Sequence, residues 1–305
     1  MSVEYLPYSQ RPEWVDVTPI PQDDGPNPLV PIAYSRDYRD TMDYFRALIR
    51  TKEKSHRALE LTADIIEMNP AHYTVWGYRQ DILFSLNADL HKELDFIDSI
   101  ASEQAKNYQV WHHRQVVVDK LGEYERELPF INRILEEDSK NYQAWSYRQW
   151  VVTRFGLYER EMEYTDDLLV IDMRNNSAWN YRYFIFSSFP RTEEEIESEV
   201  EFTKRKTEMA PNNSSPWSYL EAVLKMGNRP LKDVESFAQK LREQKVQSPH
   251  LLSFFIDMYE EEAKTTKQPI NSEALQMCED LAERVDVIRQ NYWRFRKSNL
   301  ERLCK

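Results

Sequence analysis

Glycine and cysteine are scarce in this chain of 305 residues. It contains 5 glycines and only 2 cysteines, Cys278 and Cys304. Two cysteines are too few for a disulfide framework or for a zinc site built on thiolates. No HExxH sequence is present, and the glycines do not form a phosphate-cradling loop. We therefore expect no metal site and no self-contained catalytic constellation in this chain.

Long apolar runs and a positive charge balance are also missing. No stretch of 18 or more apolar residues occurs, and the N-terminal region lacks a basic segment followed by an apolar one. We expect a soluble cytoplasmic protein without membrane insertion. The formal charge of −12 disfavours nucleic-acid binding, which requires a basic surface. An anionic ligand would have to be held by a local cluster of cations.

Five tryptophans recur along the chain at intervals of 35, 34, 34 and 38 residues, namely Trp76, Trp111, Trp145, Trp179 and Trp217. A fixed period in this range is typical of stacked supersecondary units. Apolar residues seven and ten positions after the tryptophans continue one helical face. The pattern predicts an all-α fold in which each unit is a helix, a short loop and a second helix that carries the tryptophan.

Capping residues recur with the same period. Asparagine stands four residues before four of the tryptophans, where it suits the start of the second helix: Asn107, Asn141, Asn175 and Asn213. Eleven residues after three of them stand residues that suit a left-handed helix end: Asn87, Gly122 and Gly156. Glu125, Glu127, Glu159 and Glu161 begin the first helices, where acidic residues complement the helix dipole.

These signals divide the chain into two parts. Residues 1–33 carry seven prolines and are predicted to form an extended proline-rich arm, because proline interrupts helices. Trp14, Val30 and Ile32 would allow the arm to lie against the rest of the protein. Residues 34–305 are predicted to form a helical-hairpin repeat domain, clearest at 53–226. Phe255 and Trp293 mark a degenerate and a terminal unit, and a first helix pair at 35–68 brings the total to about seven hairpins.

We expect the tryptophans to be buried between hairpins, because a large aromatic side chain gains about 1.5–3 kcal/mol on burial. An arginine follows each of four tryptophans by three positions: Arg79, Arg114, Arg148 and Arg182. We expect these arginines to pair with carboxylates or carbonyls between repeats. His112 and His113 are adjacent, so their side chains diverge by about 100° on a helix and do not share a metal; one of them is expected to contact a partner.

One motif contains more than packing residues. Lys-Asn-Tyr-Gln-x-Trp occurs at Lys106 to Trp111 and again at Lys140 to Trp145. These residues precede the second helix, at the loop edge of each hairpin. A lysine, a phenol and an amide near a helix N-terminus suit an anion, although a solvated lysine is the commoner outcome of such a pattern.

The recurrent Asn-Tyr-x-x-Trp and Trp-x-x-Arg strings resemble the repeats of protein prenyltransferase α subunits. Three segments resemble in particular the α subunit shared by protein farnesyltransferase and type I geranylgeranyltransferase: Pro21 to Pro28, Tyr38 to Ala47, and Lys106 to Arg114. The resemblance is good over residues 10–225 and looser beyond. It implies a right-handed α-α superhelix, similar to tetratricopeptide solenoids, that wraps around a β subunit.

The resemblance also implies a reaction and roles for residues. The heterodimer would transfer a farnesyl or geranylgeranyl group from its diphosphate to the cysteine of a C-terminal CaaX sequence. Zinc would be bound by the β subunit, and magnesium would assist farnesyl transfer. Lys106 would approach the diphosphate, Tyr108 would lie beside the isoprenoid, Gln109 would bind the peptide carboxylate, and Tyr73 would line the pocket for the last CaaX residue.

Other positions are expected at an interface or behind the substrate-contacting residues: His112, Asn141, Tyr142 and Gln143. Gln143 departs from the histidine expected in many relatives, which puts any role at that position in doubt. Two alternatives stay open. One is the α subunit of the Rab-specific geranylgeranyltransferase, which has similar repeats. The other is a non-enzymatic adaptor of the tetratricopeptide type, whose Leu-Gly and Ala-x-x-x-Phe pattern is missing here.

Overall fold

The computed structural model describes residues 6–302, so Cys304 lies outside the described part. Over these residues the chain forms fifteen α-helices, a few 3₁₀ turns, one π-helical turn and no strand, which confirms the all-α prediction. The helices group into two compact units, Met1–Leu157 and Tyr158–Lys305. The predicted domain boundary after residue 33 stays a prediction. None of the helices in the described range is long and apolar enough to cross a membrane.

The first unit contains seven helices: α1 Arg36–Thr51, α2 His56–Met68, α3 Tyr73–Leu86, α4 Leu90–Glu103, α5 Tyr108–Leu121, α6 Glu127–Glu137 and α7 Tyr142–Phe155. Neighbours α2 and α3, α4 and α5, and α6 and α7 pack as hairpins, and α5 packs on both α3 and α7. Helix α1 precedes the first hairpin and packs on α2.

The second unit contains eight helices: α8 Glu161–Ile171, α9 Asn176–Ser187, α10 Glu193–Met209, α11 Ser214–Met226, α12 Glu235–Glu243, α13 Pro249–Thr266, α14 Ser272–Asp280 and α15 Gln290–Arg302. They pair in sequence order, α8 with α9 through α14 with α15. Counted from α2 and α3, residues 6–302 therefore contain seven hairpins. The number agrees with the prediction, but the first hairpin is α2 and α3 rather than a pair at 35–68.

The predicted caps are confirmed. The side chains of Asn107, Asn141, Asn175 and Asn213 each accept a hydrogen bond from a backbone N–H in the first turn of the helix that follows. Asn87, Gly122 and Gly156 end their helices with φ of 47°, 77° and 72°. Such left-handed backbone is strained for most side chains and easy for glycine, so both ends of α5 and α7 are specified by local sequence.

The tryptophans are buried, as predicted, with 2 to 6% of each residue exposed. Each ring also donates its N–H to the backbone carbonyl six residues earlier, at 2.8 to 3.0 Å. These carbonyls belong to the turn between the two helices of a hairpin. The tryptophan therefore ties the turn to the helix that follows it, which satisfies a polar ring atom that would be costly to bury alone.

Arg79, Arg114 and Arg182 are buried in ion pairs between hairpins, as predicted for the repeated arginines. Arg79 pairs with Glu93, Arg114 with Glu127 and Arg182 with Glu199. Glu127 lies in the first turn of α6, but it is 1% exposed and accepts two hydrogen bonds from Arg114, at 2.7 and 2.9 Å. The prediction placed Glu127 at the helix dipole but did not include this ion pair. The carboxylate of Glu127 neutralises the buried guanidinium of Arg114.

A second donor from the following helix completes each of these clusters. Tyr147 donates its hydroxyl to Glu127 at 2.7 Å, and Tyr219 donates to Glu199 at 2.8 Å. Tyr181 donates to Glu161 in the same way. His113 occupies this place once, with Nε2 at 2.7 Å from Glu93. The cluster of arginine, glutamate and tyrosine or histidine links three consecutive elements.

His113 is neutral in the fold. It is fully buried, and burial lowers its pKa despite the hydrogen bond with Glu93. Because the carboxylate of Glu93 can only accept, Nε2 carries the proton, and Nδ1 accepts from the amide nitrogen of Gln80 at 3.2 Å.

We predict that His113→Tyr weakens the acid sensitivity of the fold. The unfolded chain gains a proton at this histidine below about pH 6.5, whereas the folded chain gains it only at a lower pH, so stability is lost as the pH falls. The slope of the free energy of unfolding between about pH 6.5 and 5 should decrease by up to about 1.4 kcal/mol per pH unit. Urea unfolding at several pH values measures it, with the exposed His91 changed to glutamine as control. Equal slopes for His113→Tyr and the parent chain would contradict the assignment.

The N-terminal segment is only partly an extended arm. Residues Tyr8–Gln10 and Pro12–Trp14 form two 3₁₀ turns. Tyr8 and Trp14 are buried, and their rings contact Tyr44 of α1 at centroid distances of 5.6 and 5.5 Å. Trp14 therefore docks as predicted, whereas Val30 and Ile32 are 86 and 63% exposed. No helix or strand forms between residues 16 and 34.

The degenerate unit is aligned differently from the prediction. Ser248 caps α13 and donates its hydroxyl to the carbonyl of Pro211, which also accepts from the ring of Trp217. Asn141 and Asn213 make the equivalent bond in their hairpins. Ser248 thus replaces the asparagine, and Leu252, four residues later, replaces the tryptophan. Phe255 belongs to the next turn of the helix.

Candidate functional site

Lys106 lies in the turn that joins α4 to α5. The turn is closed by the backbone N–H of Asn107, which donates to the carbonyl of Gln104 at 2.9 Å. The side chain of Asn107 then accepts from the N–H of Gln109 at 2.9 Å and begins α5. Lys106 is therefore the last residue before the helix cap, and 75% of its side chain is exposed.

The next hairpin holds this turn through three side chains. The ammonium of Lys106 lies 3.0 Å from Oδ2 of Asp138. Gln143 donates its amide to the backbone carbonyl of Lys106 at 3.0 Å. Asn141 donates to the carbonyl of Ala105, also at 3.0 Å. The backbone of Lys106 and its ammonium are thus both positioned by the turn between α6 and α7.

Asp138 is itself oriented. Its Oδ1 accepts the backbone N–H of Lys140 at 3.1 Å, which leaves Oδ2 facing Lys106. The hydrogen bond from Lys106 and that from the Lys140 backbone hold the pKa of Asp138 below its usual range. The carboxyl group is therefore ionised at neutral pH.

A shallow groove of about 180 Å³ lies beside this turn. The rings of Tyr108 and Tyr142, at the first positions of α5 and α7, stand 6.4 Å apart at its edge, and each residue is 65% exposed. Its lining comprises Tyr108, Trp111, His112, Gln115, Tyr142, Gln143, Ser146 and Tyr147. Burial raises the pKa of Tyr147 well above its usual range, so its hydroxyl remains a proton donor.

Tyr73 and Gln109 do not line this groove. Tyr73 takes the first position of α3, as Tyr108 does in α5, and is 72% exposed with its ring against His72 at 6.4 Å. Gln109 is half-buried in the first turn of α5. The structure therefore brings Lys106, Asn141 and Gln143 together and joins Tyr108, His112 and Tyr142 in the groove, while Tyr73 stands on the preceding hairpin.

The structure shows the contacts of the residues that were expected behind Lys106. Asn141 is 1% exposed and donates to the preceding hairpin, while its role toward a partner stays a prediction. Gln143, the doubtful position, contacts Lys106 through an amide N–H. Asp138 was missed, although it follows Glu136 and Glu137 directly before the second copy of the motif. Its role requires a contact over 32 residues, which helical periodicity does not reveal. The roles of Lys106, Tyr73, Tyr108 and Gln109 toward substrates stay predictions.

The chemistry available at this edge is that of a cation beside an aromatic groove. An exposed ammonium next to a helix N-terminus attracts phosphate groups, and exposed phenol rings accept an apolar chain on their faces. No group of three histidine, cysteine, aspartate or glutamate side chains is placed to hold a metal ion among residues 6–302. The groove is open, so a bulky apolar ligand could not be enclosed by this surface alone.

Known proteins contain the same repeats. The protein prenyltransferase alpha subunit repeat matches at residues 55–86, 90–121, 124–155, 158–189 and 196–227. The chain is 39% identical to the protein farnesyltransferase/geranylgeranyltransferase type-1 subunit alpha of Dictyostelium discoideum, over 97% of this chain and 95% of the relative. The tomato (Solanum lycopersicum) subunit of the same name is 54% identical over 101 residues, which is 33% of this chain and 29% of that protein.

A solved structure shows the same relationship. Candida albicans protein geranylgeranyltransferase-I, complexed with GGPP, contains a chain that is 31% identical and superposes with a TM-score of 0.85, over 93% of this chain and 97% of that one. Similarity to the yeast (Saccharomyces cerevisiae) geranylgeranyl transferase type-2 subunit alpha is limited to 83 residues at 34% identity. Five matched repeats and full-length similarity lead to one conclusion. The chain belongs to the protein prenyltransferase α-subunit family.

Proposed function

We propose that this chain is the α subunit of a heterodimeric protein prenyltransferase of the farnesyltransferase and type I geranylgeranyltransferase class. The enzyme transfers a farnesyl or geranylgeranyl group from its diphosphate to the cysteine thiol of C-terminal CaaX sequences. The observation that carries the proposal is the exposed Lys106, held at the groove edge by the next hairpin. Full-length similarity to named α subunits of this class supports it.

Lys106 has a role that follows from the chemistry of the leaving group. As the bond between the isoprenoid carbon and the diphosphate oxygen breaks, negative charge builds up on the departing diphosphate. A fixed ammonium gains most from that charge in the transition state, so it lowers the barrier rather than only tightening substrate binding. Tyr108 is proposed to flank the isoprenoid and Gln109 to donate to the terminal carboxylate of the peptide. Tyr73 is proposed to contact the last CaaX residue.

The site requires a second chain. Tyr73, Tyr108 and Tyr142 are 72, 65 and 65% exposed, so an isoprenoid placed on them would remain largely in water. Burying such a chain is worth about 0.8 kcal/mol per methylene, and a β subunit that covers the groove would supply that gain. We propose that this partner also binds the zinc ion that activates the thiol, that magnesium assists farnesyl transfer, and that the heterodimer acts in the cytoplasm.

Reconstitution tests the proposal. The chain is co-expressed with a farnesyltransferase-type or a geranylgeranyltransferase-I-type β subunit, and transfer of labelled isoprenoid to a CaaX peptide is measured. We expect product with the heterodimer, none with either subunit alone, and none with a peptide that carries serine in place of the cysteine. The choice of β subunit is expected to decide which isoprenoid is used.

Two outcomes would overturn the proposal. Transfer by the lone chain would contradict the division of the active site between two subunits. Transfer to a Rab protein but not to the CaaX peptide would assign the chain to the Rab-specific class instead.

A further inference from the structure

The ion pair with Asp138 holds Lys106 at the groove edge, but the proposed function gives Asp138 no role of its own. The two atoms of the ion pair are 3.0 Å apart, and the side chains are 75 and 39% exposed. A carboxylate beside a lysine that must receive a diphosphate is unexpected, because it opposes the binding of that anion. The contact nevertheless has defined geometry, since the Lys140 backbone N–H orients the carboxylate.

We propose that Asp138 is a positioning residue that acts through Lys106. It holds the ammonium at the groove edge while no diphosphate is bound, and it competes with the diphosphate for this lysine. The inference rests on the proposed role of Lys106 and adds a regulator of that role. It assigns a function to a residue that neither the repeats nor the tryptophan spacing indicates.

Competition of this kind has a catalytic consequence. When the substrate binds, Lys106 exchanges one anionic partner for another, so the lysine contributes little to ground-state affinity. Negative charge then builds up on the diphosphate as its bond to carbon breaks, while the charge on Asp138 stays constant. Lys106 therefore interacts more strongly with the diphosphate than with Asp138 in the transition state, where binding energy accelerates the reaction.

The size of the effect is limited by exposure. Solvent-exposed ion pairs change equilibrium constants by up to about fivefold and weaken with added salt. Asp138→Asn keeps one oxygen for the Lys140 N–H, so the turn is expected to fold as before, but it replaces the carboxylate oxygen that faces Lys106 with an uncharged NH₂ group. The substitution therefore removes both the anionic competitor and the ionic contact that holds Lys106.

The test uses the heterodimer with its β subunit and measures the Kd of the prenyl diphosphate that this heterodimer uses. In 50 mM salt, Asp138→Asn should lower the Kd by about two- to fivefold, and the gain should shrink in 500 mM salt. In a Lys106→Ala background the same substitution should change the Kd by less than about twofold, because no ammonium remains to be released.

Asp119→Asn is the matched control. Asp119 pairs with Arg154 at 2.6 Å, links the same two neighbouring hairpins and is also exposed, but the pair lies near the opposite ends of α5 and α7. It should leave the Kd unchanged. An unchanged or raised Kd in Asp138→Asn, or an equal gain with and without Lys106, would overturn the inference. If Lys106→Ala alone changes neither Kd nor rate, the proposed role of the lysine fails instead.

Discussion

Replacing Glu127 with alanine is expected to lower the free energy of unfolding by about 3–5 kcal/mol. Glu127 accepts from Arg114 twice and from the Tyr147 hydroxyl, and all three residues are at most 3% exposed. Without the carboxylate, the buried guanidinium keeps only Asp98, and the buried hydroxyl loses its acceptor. A buried charge without its partner costs far more than a missing surface contact.

Urea unfolding of the chain with its β subunit measures this loss. The matched control is Asp95→Ala, which breaks an ion pair with Arg126 at 2.7 Å, where the side chains are 68 and 39% exposed. Such a pair contributes about 0.2–1 kcal/mol, so the control should remain close to the parent protein. Similar losses in the two variants would show that the buried cluster is not what holds neighbouring hairpins together.

The architecture could be predicted from the sequence because its signals are local. Tryptophan spacing, the asparagine caps and residues such as Gly122 can each be read from the sequence of one hairpin, and each was found where expected. The partners of the arginines could not be named, because they depend on which helices become neighbours. A signal was present: Glu93 and Glu127 are 34 residues apart, close to the spacing of Arg79 and Arg114. The shared spacing indicates ion pairs only once it is known which hairpins pack against each other.

The candidate site was predicted less completely. The motif around Lys106 showed a cation beside tyrosines at a hairpin edge, but its roles toward substrates came from resemblance to a family. Asp138 and the contact of Gln143 with the Lys106 backbone depend on two turns that meet in space. The arm was mispredicted in part because Val30 and Ile32 are apolar yet remain exposed. Apolar residues in an irregular segment do not reveal what, if anything, covers them.

Replacing Lys106 with alanine is expected to slow the chemical step by about 10²–10³-fold, the effect of removing one preorganised group that faces a developing negative charge. The ammonium is exposed and tethered only by Asp138 and by its own backbone, so the variant should fold and assemble normally. Affinity for the prenyl diphosphate should change by less than about fivefold, because Asp138 offsets the contribution of the lysine in the ground state.

Lys140→Ala is the control for this variant. Lys140 occupies the same place in the second copy of the motif, one hairpin later, and the family resemblance gives it no role toward the diphosphate. Its replacement should leave the rate of the chemical step roughly unchanged. A rate loss equal to that of Lys106→Ala would mean that the chemical step depends on the total positive charge at this edge, rather than on the ammonium of Lys106.

A single-turnover experiment on the heterodimer tests the central claim most directly. Enzyme in excess over labelled prenyl diphosphate is mixed with a CaaX peptide, and the rate constant of transfer and the Kd are measured on the same preparation of Lys106→Ala. The account predicts a rate constant lowered about 10²–10³-fold with a Kd within about fivefold of the parent enzyme. Equal losses in rate constant and affinity, or no loss in either, would contradict it.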